Sequence, residues 1–244
     1  MDPNKQFERE KENRIEAQGK NIPLMDAARR FREESIKSQY SYNFSWMGRP
    51  IIQYPQDIVV LQEILWSVKP DLVIETGIAH GGSIIFHASI LELIGKGEVL
   101  GIDIEIRPHN RKVIEKHPMY KRITMIEGDS VSGVVLDQVK EKVKGKRKVL
   151  VCLDSNHTHD HVLNEMKSYS PFVSKGSYLI VFDTVIEELP DNFYSDRSWS
   201  KNNNPKTAVR DFLKVNDRFA IDKSIESKLL ITVAPDGYLR CVKD

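Results

Sequence analysis

The stretch of residues 71–83 constrains the fold of this chain more than any other feature. It reads DLVIETGIAHGGS, in which a short apolar strand ends at Glu75 and leads into a turn containing Gly77, Gly81 and Gly82. Glycine permits positive φ and close approach of the backbone to a ligand, and the helix that follows offers unpaired N–H groups at its start. The stretch predicts a strand, a turn and a helix at a nucleotide-type site. A strand-to-helix turn with no ligand is the alternative.

The glycine spacing differs from that of common phosphate-binding loops. Gly77-x-x-x-Gly81-Gly82 is not G-x-G-x-x-G, and no Lys-Ser or Lys-Thr follows it. A cofactor without a phosphate chain therefore fits better than a dinucleotide or a nucleoside triphosphate.

Two further apolar runs end in polar residues, in the order that a doubly wound sheet requires. The second strand ends at Asp103, where such folds hydrogen-bond a ribose diol. The third strand leads into the polar residues Asp129 and Ser130. A helix-capping or turn-capping role for Asp103 is the alternative.

Strands and helices alternate along most of the chain. The alternation predicts an α/β fold with a Rossmann-like, doubly wound, mostly parallel seven-stranded sheet and an antiparallel C-terminal hairpin. We expect the hairpin turn at residues 235–237. The C-terminal strands are expected at Phe219–Asp222, Leu229–Val233 and Tyr238–Val242.

Composition indicates one large domain and excludes several classes of protein. The chain has 244 residues, 40% of them hydrophobic, and a formal net charge of +1, which argues against a nucleic-acid partner. Cys152 and Cys241 lie in apolar runs typical of buried thiols, so we expect no disulfide and no zinc site. No apolar stretch resembles a signal peptide or a membrane span, so we expect a cytoplasmic protein without membrane insertion.

Residues 1–39 are predicted to form a charged N-terminal helical arm, and residues 40–244 the catalytic domain. A weak apolar stripe on the arm offers two alternatives, a solvated arm or one that docks on the domain or on a second subunit. The arm therefore raises the possibility of a homo-oligomer. The stripe consists of Ile22, Leu24, Met25, Ala28 and Phe31.

The densest group of ionisable residues is the segment 154–161, directly after the fourth strand. Asp154 there and Asp183 after the fifth strand come from neighbouring strand tips and can converge on a hard cation such as Mg²⁺. Capping roles for both aspartates are the alternative. His157 is the candidate general base, because its neutral imidazole can take a proton from a hydroxyl near physiological pH.

Zinc is not the expected metal. The histidines at 157, 159 and 161 would converge only on a strand, whereas this segment leaves a strand and enters a helix. We expect His159 and His161 to be surface or interface residues.

The motif Glu75-x-Gly77-x-x-x-Gly81-x-Ser83 resembles motif I of class I S-adenosylmethionine-dependent methyltransferases. The segment 154–163, with residues 74–77 and 183–184, resembles the cephalosporin hydroxylase-like group, also called rhamnosyl O-methyltransferases. The resemblance covers about residues 40 to 243.

The resemblance implies S-adenosylmethionine and Mg²⁺ as cofactors, His157 as the base, and Asp154 and Asp183 as metal ligands. Relatives commonly carry Glu-Asp at the second metal strand, where this chain has Phe182-Asp183, so Thr184 or a water would have to complete the shell. The implied cofactor-binding residues are Glu75, Gly77, Gly81, Ser83, Asp103, Ile104, Asp129, Ser130 and Asp154.

In catechol-type methyltransferases, the segment before the first core helix covers the cofactor. By resemblance, Met47 and Gly48 in the aromatic segment 40–55 would lie near the methionine end of the ligand; plain hydrophobic packing is the alternative. Residues 187–206 form a long predicted loop, which is either an acceptor lid or disordered without function. Its aromatic residues are Phe193, Tyr194 and Trp199.

The expected function is O-methylation of a hydroxyl on a sugar or small-molecule acceptor. The alternative is a non-catalytic S-adenosylmethionine-binding subunit that assists a partner enzyme in a cephalosporin-type 7-hydroxylation/methoxylation pathway. The missing ligand at Phe182 favours it, whereas the intact set of Asp154, His157 and Asp183 argues against it. A nicotinamide oxidoreductase, a third possibility, would have the same fold, but this chain lacks the G-x-G-x-x-G spacing of such enzymes. No iron-binding triad of two histidines and a carboxylate has convincing spacing.

Overall fold

The structure, a computed structural model, describes residues 2–191, 193 and 196–244. Within these residues seven strands form one sheet in the order β5-β4-β3-β6-β7-β9-β8, and β1 and β2 pair separately. The strands are β1 (Ser45–Trp46), β2 (Arg49–Pro50), β3 (Leu72–Thr76), β4 (Glu98–Asp103), β5 (Ile123–Glu127), β6 (Val149–Leu153), β7 (Tyr178–Val181), β8 (Phe219–Ile221) and β9 (Tyr238–Cys241).

The central strand β3 lies parallel between β4 and β6, and its register pairs Thr76 with Ile102 on one side and with Leu153 on the other. All residues of β3 and β6 are buried, as expected for strands covered by helices on both faces. Strand β9 runs antiparallel to both β7 and β8. The predicted fold class, with its antiparallel C-terminal strands, is confirmed.

Helices cover both faces of the sheet, and a separate hydrophobic cluster fills each side. Proline at the first turn starts α3, α5 and α8, where its missing N–H removes no helical hydrogen bond. The helices are α1 (Pro3–Gln18), α2 (Ile22–Lys37), α3 (Pro55–Val68), α4 (Gly82–Ile94), α5 (Pro108–Glu115), α6 (Gly133–Val143), α7 (His159–Tyr169), α8 (Pro205–Val215) and α9 (Lys223–Leu229).

The strand predicted at Leu229–Val233 is wrong. Asp222 caps the start of α9 by accepting the N–H of Ser224, and the helix runs to Leu229. Leu230 then adopts a positive φ of 59°, which ends the helix. The antiparallel partners of the last strand are β7 and β8, so the apolar run before residue 234 packs in the core without joining the sheet.

The N-terminal arm is helical and packs on the rest of the chain. The Gln18 side chain at the end of α1 donates to the carbonyl oxygens of Ser227 and Lys228, both at 2.9 Å. In α2, Arg32 is buried and pairs with Glu188 in the segment after β7. Within the apolar stripe Ala28 is buried, whereas Ile22, Leu24, Met25 and Phe31 are exposed. The domain boundary at residue 39 and a homo-oligomer stay predictions.

Both cysteines are buried and free, as the sequence predicts. No helix among the described residues is both long and apolar enough to cross a membrane.

Asp57 in α3 links that helix to the C-terminal part of the chain. Its carboxylate is fully buried and accepts three hydrogen bonds, from Thr232 Oγ1 at 2.5 Å, the Val233 N–H at 3.0 Å and Tyr238 OH at 2.7 Å. Burial raises the pKa of Asp57 to about 6, although the three donors oppose the shift. The folded chain therefore holds a proton on Asp57 more tightly than the unfolded chain does.

Replacing Asp57 by Asn tests this linkage. A raised carboxyl pKa stabilises the folded state most at low pH, and the stabilisation is lost as pH rises from about 4 to about 6. We expect the unfolding free energy of the wild type, minus that of Asp57→Asn, to fall by about 2 kcal/mol across this window, which is most of the full effect of about 3 kcal/mol. Urea denaturation of both proteins between pH 4 and 7 measures it. Parallel pH profiles would contradict the raised pKa.

Candidate functional site

The carboxyl ends of β3, β6 and β7 lie side by side, and a cleft of about 670 Å³ opens there. This is the edge at which open α/β sheets bind ligands. Ile36 and Lys37 at the end of α2 also line the cleft, as do Gln39, Ser41 and Tyr42. Five of the residues predicted from sequence line the cleft, namely Gly77, Ser83, Asp154, His157 and Asp183.

The turn of residues 77–81, called here the cofactor turn, has an unusual backbone. Gly77, Ala79 and Gly81 all have positive φ, at 91°, 46° and 83°. Gly77 also faces the end of β6 so closely that a Cβ there would overlap the carbonyl oxygen of Asp154. Both the φ angle and the space at residue 77 therefore require glycine.

Glu75 lies beneath the cofactor turn and does not line the cleft. Its side chain is 1% exposed, accepts a hydrogen bond from the Ser83 hydroxyl and lies 2.8 Å from His87 Nε2. Because both partners belong to α4, Glu75 joins the end of β3 to the start of that helix. Ser83 reaches the cleft edge from the same helix.

Asp103 approaches the cofactor turn from the β4 side. Its Oδ2 accepts the N–H groups of Ile78 at 2.8 Å and Ala79 at 3.2 Å. The adjacent Ile104 is 70% exposed. Asp103 therefore shapes the turn and remains half-buried beside it.

Asp129 and Ser130 lie at the tip of β5, outside the cleft lining. Asp129 is exposed and accepts the Val131 N–H at 3.1 Å. Ser130 is buried and donates to Glu165 Oε1 at 2.6 Å, and Ser155 donates to the same oxygen at 2.8 Å. Glu165 in α7 therefore ties the tip of β5 to the tip of β6.

His159 and His161 are both half-buried, and each contacts a neighbouring side chain. His159 Nδ1 lies 2.8 Å from Thr207 Oγ1 and links α7 to α8. His161 Nε2 lies 3.4 Å from Glu165 Oε1, and this contact raises the pKa of His161.

Asp154, His157 and Asp183 form the chemical centre of the cleft. One potential ligand atom from each lies within 4.8 Å of the others. His157 Nε2 is 3.1 Å from Asp183 Oδ2, and Asp183 has a positive φ of 55°. The two strand tips thus bring two carboxylates and an imidazole together, as the sequence predicts.

The charge of this cluster suits a divalent cation. Burial, with the carboxylates of Asp183 and Glu75 nearby, raises the pKa of Asp154 well above its usual range. A hard cation favours the ionised form of such a pair and prefers oxygen ligands. Phe182, next to Asp183, packs in the core at 3% exposure and offers no oxygen ligand to the cluster.

Gln53 is a cleft residue that the sequence did not single out. Its side chain is 4% exposed, its Nε2 lies 3.5 Å from Asp154 Oδ2, and its Oε1 has no partner among the described residues. A buried amide oxygen at a cleft wall is suited to accept a hydrogen bond from a bound ligand. The only sequence signal for a role of Gln53 in the cleft is that it is a polar residue within the aromatic segment 40–55.

The segment before α8 closes one side of the cleft. Trp199 packs edge-on against the His157 ring at 4.8 Å between centroids, and Arg197 stacks over Trp199 at 5.4 Å. Phe193 and Arg197 line the cleft. Tyr194, which the sequence analysis grouped with these aromatics, lies outside the described residues.

The family model described as rhamnosyl O-methyltransferase/CmcI matches residues 38–242. The chain belongs to this family. The match includes every strand of the sheet and all three residues of the Asp154, His157 and Asp183 cluster.

Curated proteins with similar sequences are named rhamnosyl O-methyltransferase. The rhamnosyl O-methyltransferase of Mycobacterium leprae (strain TN) is 33% identical over 148 residues, which is 60% of this chain and 62% of that protein. The protein of that name from Mycobacterium tuberculosis (strain ATCC 25618 / H37Rv) is 33% identical over 167 residues, 64% and 65% of the two chains. The chain thus matches less than two thirds of the length of these relatives.

Solved structures share the fold at lower identity. CmcI in an apo form gives a TM-score of 0.59 at 19% identity, covering 83% of this chain and 78% of that one. CmcI with Mg and SAM gives 0.57 at 19% identity, with the same coverage. An O-methyltransferase from Bacillus cereus in complex with SAH gives 0.51 at 14% identity, covering 80% of each chain.

Gly77→Ala tests the close approach of β3 and β6. The new Cβ would meet the backbone of Asp154, so we expect a loss of about 3 kcal/mol in unfolding free energy, at the upper end of ordinary substitutions. Gly145→Ala is the matched control, because Gly145 has a φ of 76° but open space around it. It should lose about 1 kcal/mol from backbone strain alone. Equal losses in urea denaturation would rule out the steric contact.

Proposed function

We propose that this protein is an S-adenosylmethionine-dependent O-methyltransferase that acts on a hydroxyl of a sugar or small-molecule acceptor, assisted by Mg²⁺. The observation that carries the proposal is the cluster of Asp154, His157 and Asp183 beside the cofactor turn in one cleft. The cluster offers a base and a cation site next to a turn suited to a nucleoside cofactor.

Two side chains, one in the cleft wall and one beside the cofactor turn, support S-adenosylmethionine as the methyl donor. The unpartnered Gln53 Oε1 is suited to accept a hydrogen bond from the ammonium of its methionine part. Asp103, half-buried beside the turn, is suited to bind a ribose hydroxyl. Relatives that are named rhamnosyl O-methyltransferase, and a CmcI structure that contains Mg and SAM, agree with this proposal.

The acceptor is proposed to carry a sugar hydroxyl, as surface-polysaccharide and natural-product precursors do. Phe193 lines the cleft and Trp199 packs against the His157 ring, so both aromatic rings are available to pack on the apolar face of a pyranose. The acceptor hydroxyl would then lie between the imidazole and the methyl group.

His157 takes up the proton of the acceptor hydroxyl as the reaction proceeds. With Nε2 facing the Asp183 carboxylate, the Nε2–H tautomer leaves Nδ1 to accept that proton, and Asp183 stabilises the resulting imidazolium. The oxygen forms its bond to the methyl carbon while the carbon–sulfur bond breaks, and the electron pair of that bond remains on sulfur. Asp154 and Asp183 would hold Mg²⁺, which supplies Lewis acidity that lowers the pKa of the hydroxyl.

A non-catalytic S-adenosylmethionine-binding subunit is the second candidate. The burial of Phe182 favours it, because that position lacks a metal-binding carboxylate. In that case substitutions at His157 would leave the activity of the partner enzyme unchanged.

Replacing His157 by Ala tests the base. We expect the methyl-transfer rate to sugar acceptors to fall by about 10² or more, because a positioned base contributes that much. Calorimetric affinity for S-adenosylhomocysteine should stay within about twofold, well below the tenfold that 1.4 kcal/mol would produce. His109→Ala, at an exposed position in α5, is the control. Full turnover in the His157 variant would rule out the assignment.

Asp154→Asn and Asp183→Asn test the cation site separately from catalysis. Each removes a negative charge from the cluster, so we expect affinity for Mn²⁺, a paramagnetic substitute for Mg²⁺, to fall at least about tenfold. Electron paramagnetic resonance titration measures it. Asp137→Asn, in which an exposed acidic residue of α6 is changed, should bind like the wild type. Equal affinity in all four proteins would place Mn²⁺ elsewhere.

A further inference from the structure

Two side chains outside the proposed chemistry hold the backbone of the cofactor turn. Arg49 in β2 donates to the His80 carbonyl oxygen through Nε at 2.9 Å and Nη2 at 2.6 Å. Asn110 in α5 is 3% exposed and donates through Nδ2 to the Ala79 carbonyl oxygen at 2.9 Å. The two side chains also bind each other, since Arg49 Nη2 lies 2.9 Å from Asn110 Oδ1. Two consecutive carbonyls of the turn are therefore fixed by one connected pair.

Ala79, which lies between Gly77 and Gly81, is the residue of the turn that needs this support. Ala79 has a φ of 46°, and a left-handed conformation is unfavourable by about 1 kcal/mol or more for a residue with a Cβ. Its N–H group donates to Asp103 Oδ2, and its carbonyl oxygen accepts from Asn110. Strained backbone persists where surrounding contacts hold it, and such positions cluster at ligand sites.

The same contacts join separate parts of the chain at the turn. Arg49 belongs to the aromatic segment, and the neighbouring Pro50 carbonyl oxygen packs so tightly on Gly82 that a Cβ there would overlap it. On the other side, Ile114 of α5 fills the space where a Cβ on Gly81 would lie. The turn is thus enclosed by β2 and by α5.

We propose that Arg49 and Asn110 are positioning residues that hold the cofactor turn in its ligand-binding shape before the ligand arrives. The inference rests on the proposed function, because that function assigns S-adenosylmethionine to this turn. Their contribution to affinity would come from preorganisation, since a turn that is already fixed loses less conformational entropy on binding.

Two variants separate the contacts. Asn110→Asp keeps an acceptor for Arg49 but cannot donate to the Ala79 carbonyl. Arg49→Lys keeps the charge but loses the paired donation to His80. Lys112→Ala, an exposed change in the same helix as Asn110, is the matched control.

Hydrogen exchange on the ligand-free proteins is the first measurement. Both variants should exchange faster than the wild type at the N–H groups of Ala79 and Gly81, with the N–H groups of β3 unchanged. Calorimetry with S-adenosylhomocysteine is the second, and we expect about tenfold weaker binding in both variants, equivalent to 1.4 kcal/mol. In turnover assays, KM for S-adenosylmethionine should rise more than kcat falls.

The outcomes distinguish this inference from the proposed function. Unchanged exchange at the turn, or unchanged affinity for S-adenosylhomocysteine where the wild type binds it, would overturn the positioning role. A loss of stability throughout the chain, with normal affinity of the folded fraction, would also overturn it and assign the pair to stability alone. If the wild type binds neither S-adenosylhomocysteine nor S-adenosylmethionine, the proposed function fails and the positioning role falls with it, while exchange still reports whether the pair holds the turn.

Discussion

The contact between Gly77 and the main-chain carbonyl of Asp154 sets the geometry of the whole cleft. The parallel register of β3 and β6 brings these two residues together just beyond the last paired positions, Thr76 and Leu153. A side chain at residue 77 would force the strand ends apart and separate the turn from the carboxylates. The proposed cofactor site and the proposed cation site are therefore consequences of one strand pairing.

Charge is concentrated at this edge of the sheet at some expense in stability. Burial and the Asp183 carboxylate oppose the ionisation of Asp154, and the Glu75 carboxylate beneath the turn adds to the negative field. His157 and a bound cation would offset the repulsion, which gives the cluster a function that apolar packing could not supply. The stability comes from elsewhere in the fold, including the two hydrophobic clusters that cover the faces of the sheet.

Much of this arrangement could be predicted from local sequence. Apolar runs that end in Asp154 and Asp183 were sufficient to predict that both lie at one edge, because parallel strands share an orientation. The helix at Lys223–Leu229 was not predicted, since its apolar residues also suit a strand and the deciding contacts come from distant parts of the chain. Gln53 and the pairing of Arg49 with Asn110 were missed for the same reason. Residues 49 and 110 are 61 positions apart and belong to no motif.

The position of β9 has a consequence for how the chain is made. Its residues, Tyr238–Cys241, lie between β7 and β8, although they are synthesised after both. Until they emerge from the ribosome, β7 has an unpaired edge, and the buried Asp57 lacks the hydroxyl of Tyr238. An unpaired strand edge is prone to association with other chains. The nascent protein therefore remains exposed to misassembly until Tyr238–Cys241 have been synthesised and have paired with β7.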